Sequence, residues 1–225
     1  TGVQTSALPI CVSRSGDATE TARLVEAAGR KFLDIKVDLG QPNQRKGLIE
    51  RVVDELGSLD ILVNNAGTGT RHPPEDYPDD EWRNLIEVHL TASFDLSQQA
   101  APPMFGRGRG KIINIGSVMC YQGGLQVPAY TAAKHGLAGL TKSLATAWSS
   151  RGINVNCIAP GYFATDLTDT LRNHVTRGPE ILNRIPCGRW GEPDDIAGLA
   201  VFLASDASNY MHGSIIPIDG GWLAR

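Results

Sequence analysis

A serine, a tyrosine and a lysine lie in one short stretch, in an arrangement that suits proton transfer. Ser117 follows an apolar run, and Tyr130 and Lys134 stand four positions apart in an alanine-rich segment. Residues four apart share one face of a helix, and open α/β sheets place their chemistry at the carboxyl ends of parallel strands. A hydroxyl, a phenol and an ammonium are therefore expected to meet in one small volume.

The chemistry that this trio predicts is acid–base catalysis. A phenol has a reference pKa of about 10, and a neighbouring ammonium favours its ionised form and lowers that pKa. In this interpretation Tyr130 is the acid–base group, Lys134 lowers its pKa, and Ser117 holds a substrate oxygen. A Tyr-x-x-x-Lys pair taken alone is more often a surface pair on a helix, so the prediction depends on the serine and on the surrounding elements.

Strand and helix patterns alternate along the chain and predict where these residues are held. Apolar or alternating runs predict strands at residues 8–12, 32–37, 59–63, 111–115, 153–159 and 214–218. Helical patterns fall at residues 17–28, 43–56, 79–100 and 130–149, and Pro102-Pro103 is expected to end the third of them. This alternation is typical of a doubly wound parallel sheet covered by helices.

Composition indicates one ordinary globular domain of 225 residues, with 41% apolar and 20% charged residues and a net charge of −3. Nothing there favours nucleic acid as a partner. No apolar run approaches the roughly 20 residues of a membrane span, and no secretory signal is evident. The four cysteines are widely spaced, so we expect free thiols in a reducing, cytoplasmic compartment and no metal site.

The motifs resemble those of the classical short-chain dehydrogenases/reductases, from about residue 8 to the end. Asn64-Asn65-Ala66-Gly67, Ser117, Tyr130 with Lys134, and Pro160-Gly161 occur in that family's order and spacing. Residues 110–114, 184–191 and 219–225 resemble the group of 2-deoxy-D-gluconate 3-dehydrogenases and 2-dehydro-3-deoxy-D-gluconate 5-dehydrogenases. The resemblance implies a single-domain, Rossmann-like α/β fold and an NAD(P)-dependent oxidoreductase acting on the CH–OH group of a deoxy sugar acid.

The same resemblance implies which residues line the cofactor site. They are Arg14, Asp38, Leu39, Asn64, Ala66, Gly67, Tyr130, Lys134, Pro160, Gly161, Phe163 and Thr165. NAD is the expected cofactor because the sugar-acid group mostly uses it, and NADP is the alternative because an arginine such as Arg14 can accept the 2′-phosphate. Asp38 has a second interpretation as a simple cap on the following turn.

The beginning of the chain departs from the family pattern. Thr1-Gly2 is not followed by the second and third glycines of a phosphate-binding turn, and the first strand and helix of the fold are not evident. We therefore expect the chain to lack the first βα unit, with residues 1–8 truncated or misjoined. An inactive fragment is accordingly one alternative, and a reductase of 3-oxoacyl or sugar-alcohol substrates is the other.

Three further expectations concern the substrate, the assembly and His89. A sugar-acid carboxylate would suit an arginine partner, and four arginines lie in the region that covers the substrate in this family: Arg172, Arg177, Arg184 and Arg189. Small residues on the helix after Tyr130 imply a homotetramer, with Trp222 and Leu223 buried against a neighbouring subunit. His89 stands where the family commonly has Asn, and is read as a core histidine.

Overall fold

The computed structural model describes residues 9–16 and 18–225. The predicted break at residues 1–8, and the helix cap expected at Asp17, lie outside the described residues. The backbone contacts divide the chain into two compact units, residues 1–58 and residues 59–225.

The first unit holds two parallel strands that pair over four residues each. They are β1 (Ile10–Ser13) and β2 (Leu33–Lys36). The helices are α1 (Thr19–Ala27), α2 (Pro42–Arg45) and α3 (Leu48–Leu56). The single helix expected over residues 43–56 is therefore wrong: Gly47 takes a left-handed conformation, with φ of +73°, between α2 and α3. Glycine adopts that conformation without a steric penalty, so it interrupts the helix.

The second unit is built on a four-stranded parallel sheet in the order β3-β4-β5-β6. These strands are β3 (Ile61–Asn64), β4 (Gly110–Ile115), β5 (Ile153–Pro160) and β6 (Ile215–Ile218). The two central strands are almost continuously buried, as a sheet covered on both faces requires.

Six helices are described in the second unit. They are α4 (Asp79–Ile86), α5 (Ala92–Arg107), α6 (Pro128–Trp148), α7 (Asp166–Arg172), α8 (Arg177–Arg184) and α9 (Pro193–Ala204). Alternation of parallel strands with helices agrees with the architecture predicted from the sequence. Among the described residues, no helix is both long and apolar enough to cross a membrane.

The prediction that Pro102-Pro103 ends a helix is wrong. The helix that starts at Asp79 passes through a π-helical stretch, Glu87–Thr91, and continues as α5 to Arg107 with both prolines inside it. Met104, beyond the prolines, is fully buried. Burial of that face keeps the segment helical although each proline removes a backbone hydrogen bond. Gly108, with φ of +64°, ends the helix instead.

Trp222 is buried, but not against a neighbouring subunit as expected from the sequence. Its indole is only 3% exposed because it packs inside its own chain, against Ile181, Ile185 and Trp190 among others. Burial of this ring therefore needs no neighbouring subunit.

Candidate functional site

Ser117 lies at the site because it directly follows the carboxyl end of β4. The strand ends at Ile115, and a 3₁₀ turn, Val118–Cys120, begins directly after the serine. The Ser117 Oγ accepts a hydrogen bond from the backbone N–H of Met119 at 3.2 Å, which fixes the side chain at the start of that turn. The serine therefore stands at the sheet edge where the sequence places it.

Tyr130 and Lys134 lie in the first two turns of α6. Pro128 occupies the first position of the helix, where its absent N–H costs nothing. Ala129 and Ala133 are both fully buried, so the helix approaches the sheet closely along the neighbouring face. The four-residue spacing then directs the phenol and the ammonium toward one place.

The structure brings the three predicted catalytic side chains together. The Ser117 hydroxyl lies near enough to the Tyr130 phenol to act on its pKa. Lys134 Nζ lies 5.4 Å from the centroid of the Tyr130 ring and donates a hydrogen bond to the carbonyl oxygen of Ile115 at 2.6 Å. The ammonium is thus held beside the phenol by the last residue of β4.

The pKa of Tyr130 moves in the direction opposite to the expected one. Burial raises it to about 12, and the nearby Ser117 hydroxyl opposes that rise. Burial also lowers the pKa of Lys134 to about 8, because an ammonium loses its hydration there. At neutral pH the phenol is therefore protonated, which makes Tyr130 a proton donor in this state of the protein.

His89 belongs to the same cluster, although the sequence analysis assigned it only to the core. It lies in the π-helical stretch, a feature that often marks functional positions. Its ring meets the Tyr130 ring edge-on, with centroids 5.2 Å apart. Its Nε2 lies 2.7 Å from the carbonyl oxygen of Thr68, and its buried Nδ1 has no partner among the described residues. His89 therefore links the loop after β3 to the catalytic tyrosine.

His89 makes stability depend on pH. Burial, assisted by the charge of Lys134, lowers the pKa of His89 to about 4, while the unfolded chain keeps a pKa near 6.5. The unfolded state binds the proton more readily, so the free energy of unfolding falls as the pH drops from about 6.5 to about 4. The total loss is about 3 kcal/mol. Urea unfolding at pH 7 and near pH 4.5 measures it.

A His89→Asn variant should lose less stability than the wild type over that pH range. Replacement of the exposed His135 by Asn is the matched control and should leave the pH dependence as it is. Equal losses in the wild type and in His89→Asn would contradict the assignment of this dependence to His89.

A buried amide network fixes the strand ends beneath the site. Asn114 is fully buried in β4; its Oδ1 accepts from Asn64 Nδ2 at 2.8 Å, and its Nδ2 donates to Thr141 Oγ1 at 2.9 Å. The network joins β3, β4 and α6, the three elements that present the site. Sequence reasoning gave Asn114 no role. A single amide within an otherwise apolar predicted strand nevertheless indicates a buried side chain that needs hydrogen-bond partners.

Known proteins show clear similarity to this chain. A family model described as enoyl-(acyl carrier protein) reductase matches residues 7–223. The chain is 48% identical to the 2-dehydro-3-deoxy-D-gluconate 5-dehydrogenase of Bacillus subtilis (strain 168), over 96% of this chain and 85% of the relative. The chain belongs to the short-chain dehydrogenase/reductase family. The resemblance seen in the sequence is confirmed, and the chain is a nicotinamide-dependent oxidoreductase of that family.

Solved structures show the Rossmann-like α/β fold of short-chain dehydrogenases/reductases. One, from Beutenbergia cavernae, is described as an NAD(P)-dependent gluconate 5-dehydrogenase with bound NADP at low occupancy; it is 40% identical, with a TM-score of 0.93 over 97% of this chain and 88% of its own. Another is a gluconate 5-dehydrogenase from Burkholderia cenocepacia J2315 in complex with NADP and tartrate. It is 34% identical, with a TM-score of 0.91 over 96% of this chain and 85% of its own.

In this short-chain dehydrogenase/reductase, the cofactor residues expected after β3 differ in what their side chains do. Asn64 is buried, and its amide nitrogen is occupied by Asn114 and by Ser97 Oγ at 3.2 Å. Ala66 and Gly67 are exposed. A Cβ on Gly67 would lie 2.8 Å from His89 Cε1, so the histidine ring requires glycine there. Asn64 thus fixes the strand end, and the small residues after it leave their backbone accessible.

The residues expected after β5 are likewise mainly backbone or structural. Pro160 ends the strand, and a Cβ on Gly161 would lie 2.7 Å from Asp219 Cα, so the two chain segments require glycine. The Phe163 ring is buried against Gly191. Thr165 caps α7, its backbone N–H donating to Thr168 Oγ1 at 3.2 Å. These contacts set the course of the chain past the end of β5.

The three cofactor residues expected in the first unit lie on loops after its strands. Arg14 is exposed after β1. Asp38 Oδ1 accepts a hydrogen bond from the backbone N–H of Gly40 at 2.9 Å, which agrees with the interpretation of Asp38 as a cap. The carbonyl oxygen of Leu39 accepts a hydrogen bond from Arg45 at 2.5 Å. In the described chain, no group of three or more His, Cys, Asp or Glu side chains is arranged to hold a metal ion, and all four cysteines are free.

Proposed function

We propose that this chain catalyses reversible hydride transfer between a nicotinamide cofactor and the secondary alcohol or ketone of a deoxy sugar acid. The substrate would be one such as 2-deoxy-D-gluconate or 2-dehydro-3-deoxy-D-gluconate. The observation that carries the proposal is the meeting of Ser117, Tyr130 and Lys134 at the end of β4. The names of the relatives supply the substrate class, and the tartrate held by one of them is itself a hydroxy acid.

The side chains of the trio divide the proton chemistry among them. Ser117 donates a hydrogen bond to the substrate oxygen and holds it against Tyr130. Because burial keeps the Tyr130 pKa near 12, the phenol carries its proton at neutral pH and donates it to the oxygen as the carbonyl is reduced. In oxidation the phenolate takes that proton back. The ammonium of Lys134 opposes the cost of the buried phenolate.

The cofactor fits the second unit at the small residues of the strand ends. Ala66, Gly67 and Gly161 present backbone rather than side chain, which suits the close approach of a ribose and a flat ring. Lys134 would bond the ribose, and Thr165 would lie toward the phosphates. When bound, the nicotinamide supplies or accepts the hydride.

The choice between the two nicotinamide cofactors is tested by binding. We propose NAD, as the resemblance to the sugar-acid group implies. NADP is the competing cofactor, since two solved relatives hold it and Arg14 is exposed after β1. Titration with NADH and with NADPH, followed by fluorescence and thermal stabilisation, decides between them, because a ligand stabilises the fold by mass action.

We also propose that the chain is a single short-chain dehydrogenase/reductase domain that lacks the first βα unit of its family. The sequence supports this, since Thr1-Gly2 is not followed by the second and third glycines of the family's phosphate-binding turn. Without that unit the helix N-terminus that holds the pyrophosphate is lost. Binding of neither cofactor by a well-folded chain would favour the alternative, an inactive fragment.

A substrate panel separates the proposed substrate from its rival within the family. A relative from Staphylococcus aureus that is 36% identical is named a 3-oxoacyl-[acyl-carrier-protein] reductase, so a 3-oxoacyl thioester is the rival substrate. We expect turnover of the deoxy-gluconate acids and at least about tenfold lower kcat/KM for the thioester. The opposite order would assign the chain to acyl reduction.

Assembly and location complete the proposal. We propose a cytoplasmic homotetramer that uses the outer face of α6, where Ala132 and Gly139 are exposed. Gly136 does not take part, because it packs against Leu90 of its own chain. Light scattering of the purified protein tests the tetramer, and a monomer at micromolar concentration would contradict it.

A further inference from the structure

An aromatic cluster adjoins the catalytic tyrosine. The Tyr162 ring lies 4.5 Å from that of Trp222 and 5.6 Å from that of Trp190, centroid to centroid. Tyr130 and Tyr162 both pack against the buried group that contains these tryptophans. We call Tyr162, Trp190 and Trp222 the aromatic cluster. This cluster lies beside Tyr130, whose hydroxyl is the reacting group in the proposed function.

Helix α8 carries two arginines on the face that packs against the aromatic cluster. Arg177, Ile181 and Arg184 lie at positions i, i+4 and i+7, which share one face of a helix. Ile181 is 3% exposed and belongs to the buried group around Trp222, so this face is turned toward the cluster. The guanidinium carbon of Arg184 lies 4.0 Å above the Trp222 ring. Stacking of this kind holds the guanidinium plane while its edge stays free to donate.

Arg71 brings a third positive charge from another part of the chain. The backbone N–H of the next residue, His72, donates to the carbonyl oxygen of Gln126 at 3.1 Å, just before α6 begins. Burial raises the pKa of Tyr162, and the positive charges of Arg71, Arg177 and Arg184 all act against that rise. The charges of three arginines from two segments therefore act on one phenol.

The three arginines differ in the contacts that their side chains already make. Arg177 forms an ion pair with Glu180 at 3.0 Å. Within residues 9–16 and 18–225, neither Arg71 nor Arg184 is in an ion pair with a carboxylate, and the main contact of Arg184 is the Trp222 ring. Trp222 itself has a buried Nε1 without a partner in the described structure.

We propose that Arg184, assisted by Arg71, binds the carboxylate of the substrate and so determines the preference of the site for acids. This inference rests on the proposed function. A guanidinium binds a carboxylate through two parallel N–H···O bonds, which fix direction as well as affinity. With its carboxylate held at Arg184, the carbon chain of a sugar acid runs along the aromatic cluster toward Tyr130.

The test compares an acid with its own uncharged derivative. Turnover of 2-dehydro-3-deoxy-D-gluconate and of its primary amide is measured for the wild type, Arg184→Ala and Arg184→Lys. We expect Arg184→Ala to raise KM for the acid about 10- to 100-fold and to leave KM for the amide within about threefold. Arg184→Lys keeps the charge but loses the paired geometry, so it should fall between the two.

A matched control comes from the same segment. Arg172 on α7 is exposed and pairs with Asp169 at 2.9 Å, so Arg172→Ala should behave as the wild type toward both compounds. Cofactor affinity and the melting temperature of each variant show whether the fold is intact. If Arg184→Ala does not fold, the acid-to-amide ratio of Arg184→Lys decides.

The outcomes separate this inference from the function on which it rests. If the wild type turns over the acid and the Arg184 variants keep its full preference for the acid over the amide, the role of Arg184 is overturned and the proposed function stands. If the wild type binds cofactor but turns over neither compound, the proposed function is wrong and this inference falls with it. Loss of the preference in Arg184→Ala and not in Arg172→Ala supports both.

Discussion

Replacement of Tyr130 by Phe is expected to lower kcat about 100- to 10,000-fold, the range for loss of a general acid–base group. Phenylalanine keeps the ring that packs edge-on against His89 and borders the aromatic cluster, so the fold and the cofactor affinity should stay as they are. Only the hydroxyl near Ser117 is removed. Steady-state rates in both directions, with cofactor titration of the same samples, check this.

The matched control for that variant is Tyr121→Phe. Tyr121 lies nearby in sequence, and its hydroxyl donates to the backbone carbonyl of Ile215 rather than to the site. We expect its kcat to remain within a few-fold of the wild type. If Tyr130→Phe retained more than about a tenth of the wild-type kcat, another group would have to be the proton donor.

Replacement of Lys134 by Met should cost at least about 100-fold in kcat/KM and leave most of the stability in place. Methionine fills a similar volume, and burial already disfavours the ammonium, as its lowered pKa shows. The Ile115 carbonyl that the ammonium bonds to would lose its donor, which costs about 1–3 kcal/mol. Cofactor affinity should fall as well, because the ribose loses a partner.

Lys142→Met is the control for that loss, since Lys142 is exposed on the same helix two turns further along. Its activity and cofactor affinity should not change. Activity of Lys134→Met equal to that of Lys142→Met would show that the ammonium does not take part. Unfolding of Lys134→Met at room temperature would show instead that the buried ammonium is needed for the fold.

The sequence predicted that Ser117, Tyr130 and Lys134 lie near one another because this geometry is local. A strand end places Ser117, and four positions on one helix place Tyr130 and Lys134. Neither prediction needs a distant contact. The alternation of parallel strands and helices follows in the same way from periodicity.

The residues that sequence reasoning missed depend on distant contacts. His89 lies 41 positions before Tyr130, and only folding brings the two rings to 5.2 Å. Four arginines in residues 172–189 look alike in sequence, and only the packing of Ile181 and Trp222 distinguishes Arg184. Charge and spacing specify what a side chain can do, whereas tertiary packing decides where it points.

The direction of the Tyr130 pKa illustrates the same limit. A nearby ammonium predicts a lowered value, and Lys134 is indeed near. However, Lys134 is buried and bonded to Ile115, and burial of the phenol raises its pKa to about 12. Desolvation depends on the whole surrounding structure and outweighs the charge effect that spacing alone suggests.

Transfer of deuterium from the cofactor tests the central claim most directly. The chain is incubated with the 5-keto derivative of 2-dehydro-3-deoxy-D-gluconate, whose reduction gives that acid, and with reduced nicotinamide cofactor deuterated at C4 on each face in turn, and the product is analysed by mass spectrometry. We expect one deuterium on the new carbinol carbon, from one face only, and transfer about 100- to 10,000-fold slower with Tyr130→Phe. Binding of the cofactor without transfer of label to the sugar acid from either face would contradict the account.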